Sequence, residues 1–327
     1  MSAVKMTLLS VLVLVLPIYA PTGQRNHFIY KGWIKNGLLV GLIFFSQISI
    51  TQATDDLFAK PTLRAGIHVQ SFPDFSAEDV EVSVKLLSEE IGRDMGIETS
   101  VTAYEDIKAL KQDFDTGVIN FVVASTILFA SHFDTDSFSN GFRFVRQGIA
   151  TDTLLLLGQA KQGLTRFDSY QGKRLILAEF DPLAEIYLDI LSRKHFKKSF
   201  IHSFKLMKRE KKSHQLILKL FFDQADLACV YRTAYQVAIE LNPELQHKLF
   251  IVSEIDNIPQ GIGLFHKNVP EAFRASVIAQ ATKLHGRTRG EQLLQLFKSD
   301  HVVYADTSDL AGAITLNAEY QRALAGH

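Results

Sequence analysis

Val118-Ile119-Asn120-Phe121-Val122-Val123-Ala124, followed by Ser125-Thr126 and then by Ile127 to His132, is the stretch whose reading decides the fold. Its first seven residues are almost all apolar, without the alternation of a half-solvated strand. That pattern belongs to a parallel strand covered by helices on both faces. The run ends at two hydroxyl residues and the chain then resumes with helical spacing. Ser125 and Thr126 are therefore expected at the carboxyl edge of a sheet and the amino end of a helix. Two roles are open to them there: capping the helix with a side-chain oxygen, or meeting a polar or anionic ligand.

Working outward, strand-like and helix-like segments alternate along the chain, which predicts an α/β architecture. Upstream, a strand over 63–69 is followed by a loop at 70–75. Ser76-Ala77-Glu78-Asp79 then reads as a helix start, with Ser76 as cap and Asp79 favoured by the positive helix end. Val80, Val84, Leu87 and Ile91 give that helix one buried face, and Gly96 lies just past its end. A strand over 98–104 and a helix over 105–114 complete the upstream set. Downstream, strands are expected at 142–149, 153–157, 175–180, 226–231, 249–253 and 261–265. Asp181-Pro182 opens a helix over 183–195, with Asp as cap and Pro in the first turn. The segment 213–222 is amphipathic, another helix begins at 233–239, and the tail is helical over 271–285, 290–297 and 309–324.

The amino-terminal region reads differently. Lys31 and Lys35 precede an apolar run at 37–50, and Thr51-Gln52-Ala53 offers small side chains for cleavage, so 1–53 is expected to be a signal region and the remainder exported. An earlier apolar run at 6–20 is similarly short of the roughly 20 residues that span a bilayer. The redundancy predicts a translation start between the runs. A pair of short membrane helices is the competing reading, and an uncut amino-terminal helix would anchor the protein at the membrane.

The sequence is 47% hydrophobic and 21% charged, ordinary for a globular chain. With 35 basic and 35 acidic residues it has no net formal charge and no nucleic-acid surface is expected. The basic cluster at 194–212 is diluted by Phe196, Phe200, Phe204 and Leu206, and reads as a solvated face. The single cysteine, Cys229, sits in an apolar stretch and reads as a buried small residue. No Gly-rich phosphate loop, metal-ligand spacing or nucleophile elbow is present, and the histidines are scattered. An enzyme, a metal site and a cofactor are therefore not expected.

Taken together, the mature part resembles the periplasmic phosphate/phosphite/phosphonate-binding proteins of ABC transporters, in the type II periplasmic-binding-protein superfamily. The residues that carry the resemblance are Leu63-Arg64-Ala65-Gly66-Ile67, the stretch Phe114 to Asn120, Asp223-Gln224-Ala225-Asp226-Leu227-Ala228, Ile258-Pro259-Gln260-Gly261, and Gly290 to Phe297. It implies two α/β lobes, each a mixed sheet flanked by helices, joined by two crossover strands: lobe one from 54–150 plus 252–327, lobe two from 151–251. It also implies a ligand in the cleft, held by the loop after the first strand (Ser71, Phe72), by Ser125 and Thr126, by the lobe-two helix start at Asp181, and by Tyr231, Arg232 and Thr233.

The family places small hydroxylated residues and glycine at that helix start; here it reads Glu179-Phe180-Asp181-Pro182-Leu183. A carboxylate competes for the amides that would hold phosphate, and proline has no amide to give. Arg232 is expected either to grip a ligand anion in a bidentate pair or to close a network with Asp226 or Asp181. Asp181 and Arg232 together suit a zwitterion better than a plain anion. The implied function is extracytoplasmic capture of a small polar or anionic ligand, diverged from phosphonate, by a monomer that delivers it to the membrane permease of an ABC transporter. A ligand-sensing subunit for a membrane signalling receptor is the alternative.

Overall fold

The computed structural model describes residues 62–72, 75–146, 148, 151–160, 163–206, 209–259 and 261–326. The signal region and the question of where translation starts lie outside these residues. Among the described residues no helix is long and apolar enough to cross a membrane.

Two sheets organise the chain. The first takes β1 (Thr62–His68), β2 (Glu98–Tyr104), β3 (Phe121–Ser125), β4 (Phe138–Val145), β10 (Gly261–His266) and β11 (His301–Ala305) in the order β11-β4-β10-β3-β1-β2. The second takes β5 (Asp152–Gln159), β6 (Arg174–Ile176), β7 (Lys205–Leu206), β8 (Leu227–Tyr231) and β9 (Leu249–Ile258) in the order β7-β6-β8-β5-β9. Both sheets are mixed. In the first, β1 runs parallel to β2 and β3 while β10 is antiparallel to β3 and β4; in the second, β6 is parallel to β7 and β8 while β5 is antiparallel to β8 and β9.

The helices form where the sequence caps them. In α1 (Ala77–Met95) the Ser76 side chain accepts from the Asp79 amide, and Gly96 closes the helix in the left-handed conformation. α2 (Ile107–Asp115) is capped by Asp106 and packs Leu110 and Phe114 inward. α3 (Thr126–His132) follows β3 directly, and α4 (Pro182–Phe196) starts at the expected Asp181-Pro182 pair. α5 (Ser213–Phe221), α6 (Arg232–Leu241), α7 (Glu271–Thr282), α8 (Thr288–Leu296) and α9 (Ala311–Ala325) complete the larger helices.

The expected buried strand is β3, with Phe121, Val122, Val123 and Ala124 all buried. Its counterpart in the second sheet is β5, where Leu154 to Leu157 are fully buried in succession because the sheet is covered on both faces. Each such leucine contributes roughly 1.5–3 kcal/mol of apolar burial. β4 and β10 approach so closely that a Cβ on Gly141 would stand 1.9 Å from the Gly263 carbonyl oxygen, and one on Gly263 would stand 2.3 Å from the Phe121 ring.

Three expectations change. β9 runs on to Ile258, so the chain leaves the second sheet at Pro259 and not near residue 252; the polar residues Ser253, Glu254 and Asp256 hid this half from a hydrophobic reading. β6 is only Arg174–Ile176, because Ala178 makes an isolated bridge to Glu210 and the chain then turns into α4. β11 was not foreseen at all. The carboxy-terminal helix also reaches across: Ala313 and Leu316 of α9 pack in the same apolar cluster as Leu183 and Leu188 of α4 and Ile127 of α3.

Candidate functional site

The carboxyl ends of the parallel strands of both sheets face a common cleft, the position at which open α/β sheets bind ligands. β1 leads into Ser71 and Phe72, β3 ends at Ser125, β8 ends at Tyr231, and Asp181 follows β6. Two adjoining chambers occupy the cleft, sharing Ser71 and Tyr231.

The larger chamber, about 130 Å³, is walled by Phe72, Phe75, Phe142, Phe144 and Tyr231, with Arg146, Asp152 and Thr233 supplying polar groups. Its aromatic wall is braced from behind: Phe144 stacks on Phe297 at 5.1 Å between centroids, and Phe142 stacks on Phe121 at 4.9 Å. A cavity of about 150 Å³ lined by apolar side chains is large enough to take benzene, so this chamber matches a six-membered ring in size. The smaller chamber, about 40 Å³, is lined by Gln70, Ser71, Ser125, Thr126, Asp181 and Tyr231 among others. At the rim, a wider opening places Asp79 and Glu105 beside Lys211 and Lys212, so the end of the basic cluster lies at the cleft mouth.

Ser71 is held in a relay. The Ser125 amide donates to Ser71 Oγ at 3.0 Å, and Ser71 Oγ lies 3.0 Å from His68 Nδ1. Burial lowers the His68 pKa, a hydrogen bond to the Glu105 backbone acting against it, so the imidazole is neutral near pH 7. With the Ser125 amide donating to it, the Ser71 hydroxyl still has a proton to give and a lone pair to offer, so the imidazole tautomer sets the direction of its bond with His68. The His68 ring also packs on Phe180, 5.6 Å between centroids, across the cleft.

The two hydroxyls at the end of β3 separate in role. Thr126 Oγ1 donates to the Pro259 carbonyl at 2.6 Å and ties the start of α3 to the second crossing between the sheets. Ser125 is the N-cap residue of α3 by backbone geometry but makes no side-chain cap bond, and its buried Oγ has no hydrogen-bond partner. The capping role thus fails for its hydroxyl.

Carboxylates occupy two helix starts of the second lobe, those of α4 and α6, while the start of α5 at Ser213, which lines the larger chamber, has no side-chain cap. Asp181 Oδ1 accepts from the Ala184 amide at 3.0 Å at the head of α4 and from the Tyr231 hydroxyl at 3.3 Å. Desolvation pushes the Asp181 pKa up to about 6 despite these bonds. At the head of α6, Asp152 accepts from the Thr233 hydroxyl and, at 3.4 Å, from the Thr233 amide.

Arg232 does not join this group. Its guanidinium pairs with Glu254 at 2.6 Å, with both side chains more than a third exposed, and it lines neither chamber. Asp226 pairs instead with Arg174, which donates to it from Nε at 3.0 Å and Nη2 at 2.9 Å, and Asp181 has the partners given above. The cation that lines the larger chamber is Arg146. It escaped the sequence reading, though Phe142, Phe144 and Arg146 share one parity along β4 and its end, and strand alternation puts such residues on one face. Cys229 is buried and free, and burial raises its pKa, as suits an inert packing thiol. Among the described residues no group of histidine, cysteine and carboxylate side chains could hold a metal ion.

Two α/β lobes with polar and aromatic residues gathered between them define a solute-binding architecture. Residues 70–310 match the family described as the periplasmic substrate-binding protein of phosphonate ABC transporters. No curated protein matches the sequence. Among solved structures, the binding protein component of an ABC phosphonate transporter from Pseudomonas aeruginosa superposes with a TM-score of 0.56 at 12% identity, covering 81% of this chain and 88% of that one. PhnD1 of Prochlorococcus marinus in complex with methylphosphonate gives 0.57 at 12% identity, covering 80% and 100%. A Xanthomonas citri protein bound to ATP gives 0.57 at 12% identity, covering 81% and 98%. These likenesses establish the shared fold. The chain belongs to the phosphonate-type family of periplasmic substrate-binding proteins of ABC transporters. Such proteins bind and deliver solutes and are not enzymes, and the family implies an extracytoplasmic location.

Proposed function

We propose that this chain captures a compact zwitterionic solute with an apolar, ring-sized body, and that it hands this solute to the membrane permease of an ABC transporter as a monomer. One observation carries the reading: two of the helix starts beside the cleft, those of α4 and α6, are each occupied by a carboxylate of the chain itself, Asp181 and Asp152. A helix start offers an anion its free amides and its positive dipole end. Here those amides are already bonded to fixed negative charge, and Pro182 contributes none. At these two starts a plain phosphonate would therefore have to displace a carboxylate or lie beside it.

The larger chamber supports the rest. Aromatic walls favour an apolar body, and Arg146 and Asp152 on the same wall present both signs of charge to a solute that carries both. Residues from both lobes contribute, so a solute that touches them all favours the shut cleft by its differential affinity for that state. The binding residues on this reading are Ser71, Phe72, Ser125, Asp181, Tyr231 and Thr233, joined by Phe142, Phe144, Arg146 and Asp152. Thr126 acts through the crossing at Pro259.

Titration calorimetry with inorganic phosphate, methylphosphonate, L-alanine and L-phenylalanine tests the reading. L-phenylalanine is expected to bind more tightly than L-alanine, with phosphate and methylphosphonate weaker than either. Methylphosphonate binding at micromolar affinity without a response to the amino acids would overturn it.

A further inference from the structure

The smaller chamber has a chemistry distinct from the larger one. Its lining includes Ser125, whose buried Oγ has no partner, and Asp181, contributed by opposite lobes. Among its described lining residues there is no lysine, arginine or histidine, and Asp181 is the one charged group of that set. At about 40 Å³ it is less than a third of the larger chamber, room for a head group and not for the ring.

We propose that this chamber is the ammonium subsite of the cleft, in which a primary ammonium group of the ligand donates to Ser125 Oγ from lobe one and to Asp181 from lobe two while the rest of the ligand lies in the aromatic chamber. The inference rests on the cleft being the ligand site. Each acceptor fits the role for a separate reason. A buried hydroxyl oxygen without a donor costs free energy until something donates to it. A carboxylate buried without a cation is likewise incompletely compensated, and the upward displacement of the Asp181 pKa is the measure of that. An ammonium has three donors and no acceptor, so it can serve both groups at once. Because the acceptors belong to different lobes, the bond pair forms only with the cleft shut and makes the ammonium head a closing element. An anionic head could accept from the Ser125 hydroxyl but meets a like charge at Asp181, and a neutral hydroxyl satisfies Ser125 without compensating Asp181.

Three matched probes on the full-length protein decide the matter: 2-phenylethylamine, 2-phenylethanol and phenylacetate, which share a ring for the aromatic chamber and differ in the head. By calorimetry the wild type is expected to bind the amine at least about tenfold more tightly than the alcohol or the acid, a difference of about 1.4 kcal/mol. Asp181→Asn, which retains a capping oxygen for the Ala184 amide, is expected to reduce that preference to about threefold or less. Ser125→Ala is expected to weaken amine binding several-fold while leaving the unfolding midpoint unchanged or raised, because its hydroxyl has no bond to lose. This combination separates a ligand contact from a structural role and holds even if the Asp181 variant folds poorly. Equal binding of the three probes, or an amine preference that survives Ser125→Ala undiminished, overturns the ammonium subsite and leaves the cleft reading standing. Binding of none of them, together with no response to L-phenylalanine, overturns both.

Discussion

Replacing Asp181 by Asn isolates the largest electrostatic cost in the cleft. Asp181 is 9% exposed, and desolvation raises its pKa from 3.8 to about 6. A raised carboxyl pKa means that the folded protein favours the neutral form. The cost of holding the ionised form is therefore fully present above about pH 6, and it is relieved as pH falls from 6 towards the unfolded value of 3.8. A displacement of about two units corresponds to roughly 3 kcal/mol at 1.36 kcal/mol per unit. The charged and titratable groups around it are Glu185 on the same helix and Tyr231 and Cys229 on β8; the lobe-one side of the chamber adds no charge. Asn removes the charge and keeps the oxygen that accepts from Ala184. Urea unfolding of wild type and variant, run in parallel from pH 4 to pH 8, measures the difference directly. The variant is expected to be more stable by about 1–3 kcal/mol at pH 7.5, with the advantage shrinking below pH 6 and nearly gone at pH 4. A variant less stable than wild type at pH 7.5, or a difference that does not change with pH, would refute the reasoning.

Three further outcomes follow from the same geometry. Arg232→Ala is expected to leave solute affinity within about twofold, because its partner is Glu254 outside both chambers and an exposed pair of this kind contributes about 0–1 kcal/mol; a tenfold loss by calorimetry would return Arg232 to the site. Gly263→Ala is expected to lower stability by about 1–3 kcal/mol, since the added methyl group meets the Phe121 ring at 2.3 Å in a packed sheet; an unchanged melting temperature would show that β10 can shift. Ammonium-bearing ligands are expected to bind less tightly as pH falls below 6, because protonating Asp181 removes the charge that receives them, and titration calorimetry at pH 5 and pH 7.5 reads this; stronger binding at pH 5 would contradict it.

Much of this architecture was legible before any coordinates. Val118 to Ala124 marked the buried strand because an almost wholly apolar run has few other uses in an α/β chain, although the strand itself starts at Phe121 and Val118 is exposed, and Ser76 and Asp181-Pro182 marked helix starts because capping chemistry is local. What failed was non-local. The polar half of β9 is a strand because β5 lies beside it, and Glu254 draws Arg232 away from the cleft across a separation of 22 residues. Ser71, Phe72, Ser125, Asp181, Tyr231 and Thr233 come together at the cleft because all follow strand ends. Arg146 and Asp152 were hidden by their place at the strand ends that flank the crossing between lobes, where alternation gives a face but not what that face meets. The unpartnered state of Ser125 Oγ depends on the opposite lobe and has no sequence signature at all.

The central claim is that a solute lies between the lobes with its body against Phe142, Phe144 and Tyr231. The most direct test is a crystal structure of the protein with the tightest-binding compound of the calorimetric panel. That structure is expected to show a ring in the larger chamber, an ammonium head within hydrogen-bond distance of Ser125 Oγ and Asp181, and a negative group at Arg146. A compound bound outside these residues, or an anionic head seated against the start of α4 with Asp181 displaced, would contradict it.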